Sequence, residues 1–129
     1  MRDDEAGRSM VLHAKQLRDD ELIARLKRCV AQDRKLTARL LEHFGEVSAR
    51  GLYREQGYPS MFHYAVLSLH MSESEAGLRI RVSRLGREFP EALQMLARGE
   101  LHMTALRLLA PVLTHGNVGL LHEETRVRE

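Results

Sequence analysis

The sequence predicts an all-α chain, one long N-terminal helix packed on four or so short helices, from three features. Apolar residues recur at three- and four-residue steps over about thirty residues from Asp19, the period of one helix face. From Gly57 to Leu113, short apolar-periodic segments are separated by compact polar stops. Those stops carry helix-boundary chemistry, with serines at starts, a proline at a first turn and a glycine at an end.

Composition bounds the problem. At 129 residues and 43% hydrophobic, the chain is about one domain long and able to bury a modest core without a staple. The formal net charge of +2 is too small to argue for a polyanionic partner, so the distribution of charge matters more. Residues 1 to 5 are acidic, whereas Arg79, Arg81, Arg84 and Arg87 lie within a stretch that holds no carboxylate. Only Lys15, Lys27 and Lys35 are lysines, and arginine's planar fork of donors suits phosphates better than an ammonium does. The one cysteine, Cys29, has no partner for an intramolecular disulfide, and no CxxC pair is present to hold zinc. Nothing approaches the roughly 20 apolar residues of a membrane span, and no apolar run follows a basic start. A cytoplasmic chain with no membrane partner is the expectation.

Residues 1–16 read as a polar leader, 17–114 as the helical domain and 115–129 as a weakly ordered tail. The long helix is expected from about Asp19 to Ser48. Its stripe comprises Leu22, Leu26, Cys29, Val30, Thr37, Leu40, Leu41, Phe44 and Val47. Asp19, Asp20 and Glu21 crowd its first turn, at the positive end of the helix dipole. A helix of that length runs to roughly 45 Å, so it is expected either to bend around Gln32 to Lys35 or to act as a spine for the later helices. Asp33 falls inside the stripe by angle; a paired or rim-exposed acid is expected there rather than a buried, site-organising carboxylate.

Gly51, Gly57, Tyr58 and Pro59 then break the pattern, and Ser60 is placed to cap MFHYAVLSLH. Ser72 with Glu75 forms the capping-box pattern S-x-x-E ahead of the next helix, whose buried stripe is Leu78, Val82, Leu85 and Phe89. The four arginines spread over its remaining surface. Pro90 suits the first turn of the following helix and Gly99 its end. Thr104 is the expected cap of a last helix, which Pro111 ends about two residues early. The tetrad MSES spaces HYAVLSLH from EAGLRIRVSRLGR as a helix-turn-helix-like pair does, the first helix bracing the second.

The segments DDELIARLKRCVAQDRKLTARLLEHFGEV and ARGLYREQGYPSMFHYAVLSLHMSESEAGLRIRVSRLGREFPEALQMLARGELHMTALRLLAPVLT together resemble the N-terminal helical domain of bacterial HNH endonuclease family proteins, a domain of unknown function. The resemblance covers about three quarters of the chain. It lies in the ordered succession of GYPSMFHY, LHMSESEA, FPEALQMLARGELH and LLAPVLT. It implies an all-helical accessory domain acting with DNA, with a nuclease region C-terminal to it. LHMSESEAGLRIRVSRL followed by FPEALQMLARGELHMTAL is also similar to the helix-turn-helix of ParB-type partition proteins. Four residues depart from that pattern. His70 stands where the turn usually has glycine, Glu73 and Glu75 open the second helix, and Arg79 takes a commonly apolar position. Carboxylates at that helix start repel approaching phosphates.

The HNH catalytic region itself is not matched. The seven histidines, His13, His43, His63, His70, His102, His115 and His122, show no metal-ligand spacing and read as surface or helix-end imidazoles. No catalytic residue, metal or cofactor is assigned, and the chain reads as a truncated or stand-alone version of the family, or as a fragment of a longer nuclease. Two classes of function stay open. One is a non-catalytic module that binds or positions duplex DNA, with Arg79, Arg81, Arg84 and Arg87 contacting phosphates. The other is a helical interaction or dimerisation module without DNA contact, docking on an HNH nuclease region or on a second copy through surplus apolar surface of the long helix.

Overall fold

A computed structural model describes residues 13–113 and 116–117. Most of the expected leader, and all of the expected tail except residues 116–117, lie outside these. The described residues are helical, with no strand among them. In chain order the helices are α1 (Asp19–Arg50), the single turn α2 (Leu52–Glu55), α3 (Met61–His63), α4 (Glu73–Glu88), α5 (Pro90–Ala97) and α6 (Met103–Leu109). A π-helical turn, Tyr64–Ser68, continues α3, and a 3-10 turn, Ala110–Val112, follows α6. The expected architecture of one long helix with several short ones is therefore present.

The chain divides into two compact units, Met1–Asp33 and Arg34–Glu129. The division falls within α1, near the stretch Gln32 to Lys35, and helical hydrogen bonding continues through it. No proline or glycine interrupts that stretch, so nothing in the backbone forces a kink. What changes there is packing. Every residue from Asp19 to Leu36 is exposed, whereas Ala38, Leu41, Phe44 and Gly45 are buried. Only the second half of the predicted stripe is core. Asp33 is exposed, as expected for an acid outside the packed body.

In the second unit the core forms two clusters that share α1 and α4. Leu41 joins Val82 and Leu85 of α4 and the junction residue Phe89 with Met95, Leu101 and Leu106 from the following segments. Phe44 joins Met61, Ala65 and Ala76, with Tyr53, Tyr64 and Ile80 packed alongside. Each large side chain buried here contributes on the order of 1.5–3 kcal/mol, which is why α4, touching both clusters, organises the unit.

Close helix approach depends on glycine at two places. A Cβ on Gly45 of α1 would lie 3.2 Å from the Ser83 carbonyl oxygen of α4, and one on Gly86 would lie 2.6 Å from Leu93 Cγ of α5. The local signals hold with two changes. Ser60 and Ser72 accept hydrogen bonds from the His63 and Glu75 amides, each at 3.1 Å. Glu75, however, turns its carboxylate to Arg79, so the capping box is seen on one side only. The last helix starts at Met103 after His102, without a side-chain cap, rather than at Thr104. It ends at Leu109, two residues before Pro111, because proline cannot continue the hydrogen-bond ladder. Gly99 closes α5 with φ of 77°, a left-handed conformation that favours glycine.

Candidate nucleic-acid interface

The candidate arginines all lie on α4, and packing on several sides sorts them. At 100° per residue, Ala76, Ile80 and Ser83 face the second cluster, and Leu78, Val82, Leu85 and Phe89 face the first. The exposed residues of α4 are Glu73, Ser74, Glu75, Arg81, Arg84, Arg87 and Glu88, and by angle Glu73, Ser74, Arg81, Arg84 and Glu88 form one strip with the half-buried Gly77 between them. The sequence suggested a single buried stripe. A helix covered on two flanks leaves fewer open positions than that stripe implies.

Arg81 and Arg84 stand on the open strip and make no ion pair among the described residues. Arg79 does not. Its side chain retains 21% exposure and bonds through Nη1 to Glu75 one turn earlier, while its buried Nε lacks a hydrogen-bond partner. Arg87 reaches across to α1, where its Nη1 donates to Glu46 Oε2. Glu46 Oε1 also accepts from Arg50 Nε at 2.8 Å. Arg79 and Arg87 therefore serve intramolecular pairs first.

The hydrogen bond from Arg50, and then that from Arg87, hold the Glu46 carboxyl below its ordinary range. A folded-state pKa below the unfolded one gives stabilisation that is present above the unfolded value and lost as pH falls through the folded value. The thermal midpoints of wild type and Glu46→Gln are expected to differ slightly at neutral pH and to converge as pH falls below about 4. A gap that stays constant from neutral to acid pH, measured by circular dichroism melts, contradicts this assignment.

The turn entering α4 places His70 at φ 60°, a left-handed geometry that side chains rarely adopt. The residue standing where the resemblance has glycine thus takes a glycine-like conformation. Glu73 and Glu88 bracket the two open arginines, so the strip is cationic only in its middle. Arg84 also borders a recess of about 550 Å³ with Ser48, Tyr53, Arg87 and Glu88. A second recess, about 600 Å³, brings Lys35 and Arg39 of α1 beside Arg87 and Leu93. The sequence did not point to Tyr53, Lys35 or Arg39 as neighbours of these arginines, because they lie more than thirty residues away along the chain and share no motif with them.

His13, His43, His63, His70 and His102 are all exposed, and His115 and His122 lie outside the described residues. His43 Nδ1 lies 2.7 Å from the Arg39 carbonyl oxygen, and His63 Nδ1 lies 2.6 Å from Ser60 Oγ. No cluster of histidine, cysteine and carboxylate side chains suited to a metal ion occurs among the described residues. Tyr58 and Tyr64 meet edge to face at 5.4 Å, consistent with packing roles. No helix among the described residues is long and apolar enough to cross a membrane. Comparison with protein-family models, curated proteins and solved structures returns no match for this chain.

Proposed function

We propose that the chain is a non-catalytic, cytoplasmic accessory domain of the kind found in bacterial HNH-endonuclease-like proteins, and that it positions duplex DNA. The observation that carries this reading is the pair Arg81 and Arg84, exposed on α4 and without ion pairs among the described residues. The left-handed turn at His70, joining α3 and its π turn to α4, supports a helix-turn-helix-like presentation. Contacts of this type hold the phosphate backbone and set orientation without reading bases. The acidic residues at both ends of the strip limit the footprint to a few phosphates.

The test is a salt titration with a labelled duplex, read by fluorescence anisotropy. Each phosphate neutralised contributes about −0.9 to the slope of log affinity against log salt. Arg81→Ala with Arg84→Ala is expected to lower the slope's magnitude by nearly two units and to weaken binding. Arg79→Ala is expected to change binding less, since that side chain is held by Glu75. Absence of binding at low salt, or a double variant that binds as wild type does, refutes the proposal.

A second reading, a helical interaction module that makes no direct DNA contact, is favoured by a different observation. Leu22, Ile23, Leu26 and Val30 are exposed on one stretch of α1.

A further inference from the structure

The exposed half of α1 has an amphipathic sequence whose apolar side stands open. Ile23 is 54% exposed and Leu26 62%, and Leu22, Cys29 and Val30 are exposed on the same side. A surface helix carries such a stripe when it has something to bury it against. Propensity does not require it, since polar residues would form this helix as well and keep it more soluble.

The charges along this segment indicate the occupant. Asp19, Asp20 and Glu21 fill the first turn, and Arg25, Lys27 and Arg28 the next two. Within its own chain, Asp20 meets Arg18 at 3.7 Å, an exposed pair of little strength. Two copies running antiparallel set the acidic turn of each against the basic turns of the other. Two parallel copies set like against like. Lys27 lies seven residues beyond Asp20, hence on the same flank of the stripe, where an antiparallel neighbour presents its own Asp20. A surface complementary to itself under a two-fold rotation is the requirement of an isologous dimer.

We infer that the Asp20–Lys27 stretch of α1, with Leu22, Ile23 and Leu26 at its centre, pairs antiparallel with the same stretch of a second copy of this chain about a two-fold axis between Ile23 and Ala24. This names the partner in the interaction reading and holds whether or not Arg81 and Arg84 meet DNA. The face is about 12 Å long at 1.5 Å per residue, well short of a standard interface, so the pair is weak and concentration-dependent rather than obligate.

The full-length chain is tested by sedimentation across a concentration series, with alkylation of Cys29 as a second readout. Wild type is expected to reach dimer mass as concentration rises, and Cys29 alkylation to slow in step. Leu26→Glu is expected to weaken pairing roughly thirty-fold or more while leaving helicity and the thermal midpoint of dilute protein unchanged, because the side chain is exposed in the single chain. Asp20→Lys and Lys27→Asp are each expected to weaken pairing, and the two together to restore it. A dimer that Leu26→Glu leaves intact, or a double charge reversal that restores nothing, overturns the inference. So does a monomer at every concentration. A monomer whose Cys29 resists alkylation removes the wider interaction reading too, since the chain's own residues then cover the face. A monomer with freely reactive Cys29 removes self-pairing alone.

Discussion

Phe89→Ala is expected to cost about 3–5 kcal/mol, which against a total stability of about 5–15 kcal/mol leaves the chain marginal or unfolded. Phe89 is 2% exposed and packs in the cluster that contains Leu41, Val82, Met95 and Leu106. It also sits at the junction of two helices. Its amide donates to the Leu85 carbonyl at 2.7 Å, closing α4, and its own carbonyl accepts from the Ala92 amide at 2.9 Å, opening α5. Pro90 then supplies the first turn of α5 at a position where a missing amide hydrogen is not needed. Truncating the ring leaves a cavity at the point where α4, α5 and α6 are held together, and neighbours tied to a tight junction collapse into it poorly. Urea unfolding should give a lowered midpoint or no folded baseline, with Phe89→Leu milder. A cost below about 1 kcal/mol would place the residue among ordinary surface positions and contradict the packing described.

That junction was legible in the sequence, and the comparison with what was not is informative. Leu78, Val82, Leu85 and Phe89 stand at helical spacing, Pro90 marks a start and Gly99 an end, so the local code alone locates α4 and α5. Local codes do not say what lies opposite. The stripe of α1 reads as continuous from Leu22 to Val47, yet burial begins near Thr37 and Ala38, where Leu41 and Phe44 enter the two core clusters of the second unit. The single turn α2 followed a left-handed Gly51 that reads equally well as a loop, and the π turn after His63 arises from hydrogen bonding that no residue pattern announces. The same limit applies to the candidate interface. Four arginines within nine residues look alike on paper. Glu75, one turn away, engages Arg79 by a rule the sequence contains. Glu46, forty-one residues earlier in the chain, engages Arg87 by a contact that only the fold creates.

Three mid-helix glycines give the second large prediction, because helix propensity and packing disagree about them. Propensity alone predicts that Gly45→Ala, Gly77→Ala and Gly86→Ala each stabilise by roughly 0.5–1 kcal/mol. Only Gly77, with nothing within 4 Å of an added Cβ, is expected to comply. At Gly86 the new carbon meets Leu93 side-chain atoms at 2.6 to 2.8 Å, so that half-buried leucine has to swing away and α5 loses its contact. At Gly45 the obstacle is a backbone carbonyl, that of Ser83, with Arg87 Cγ at 3.4 Å, and a carbonyl cannot rotate aside as a side chain can. Gly86→Val and Gly45→Val are therefore each expected to cost about 1–3 kcal/mol through overpacking. The two are distinguishable by a second measurement. Parting α1 from α4 at Gly45 also draws Arg87 away from Glu46, so Gly45→Val should narrow the small acid-sensitive gap between Glu46 and its glutamine variant to the part that Arg50 maintains, whereas Gly86→Val should leave it whole. Thermal melts across pH decide the matter: equal stabilisation by all three alanines would mean that the helices are not in close contact at these positions, and an acid-sensitive gap that Gly45→Val leaves at its full size would mean that Arg87 reaches Glu46 without the close approach that glycine permits.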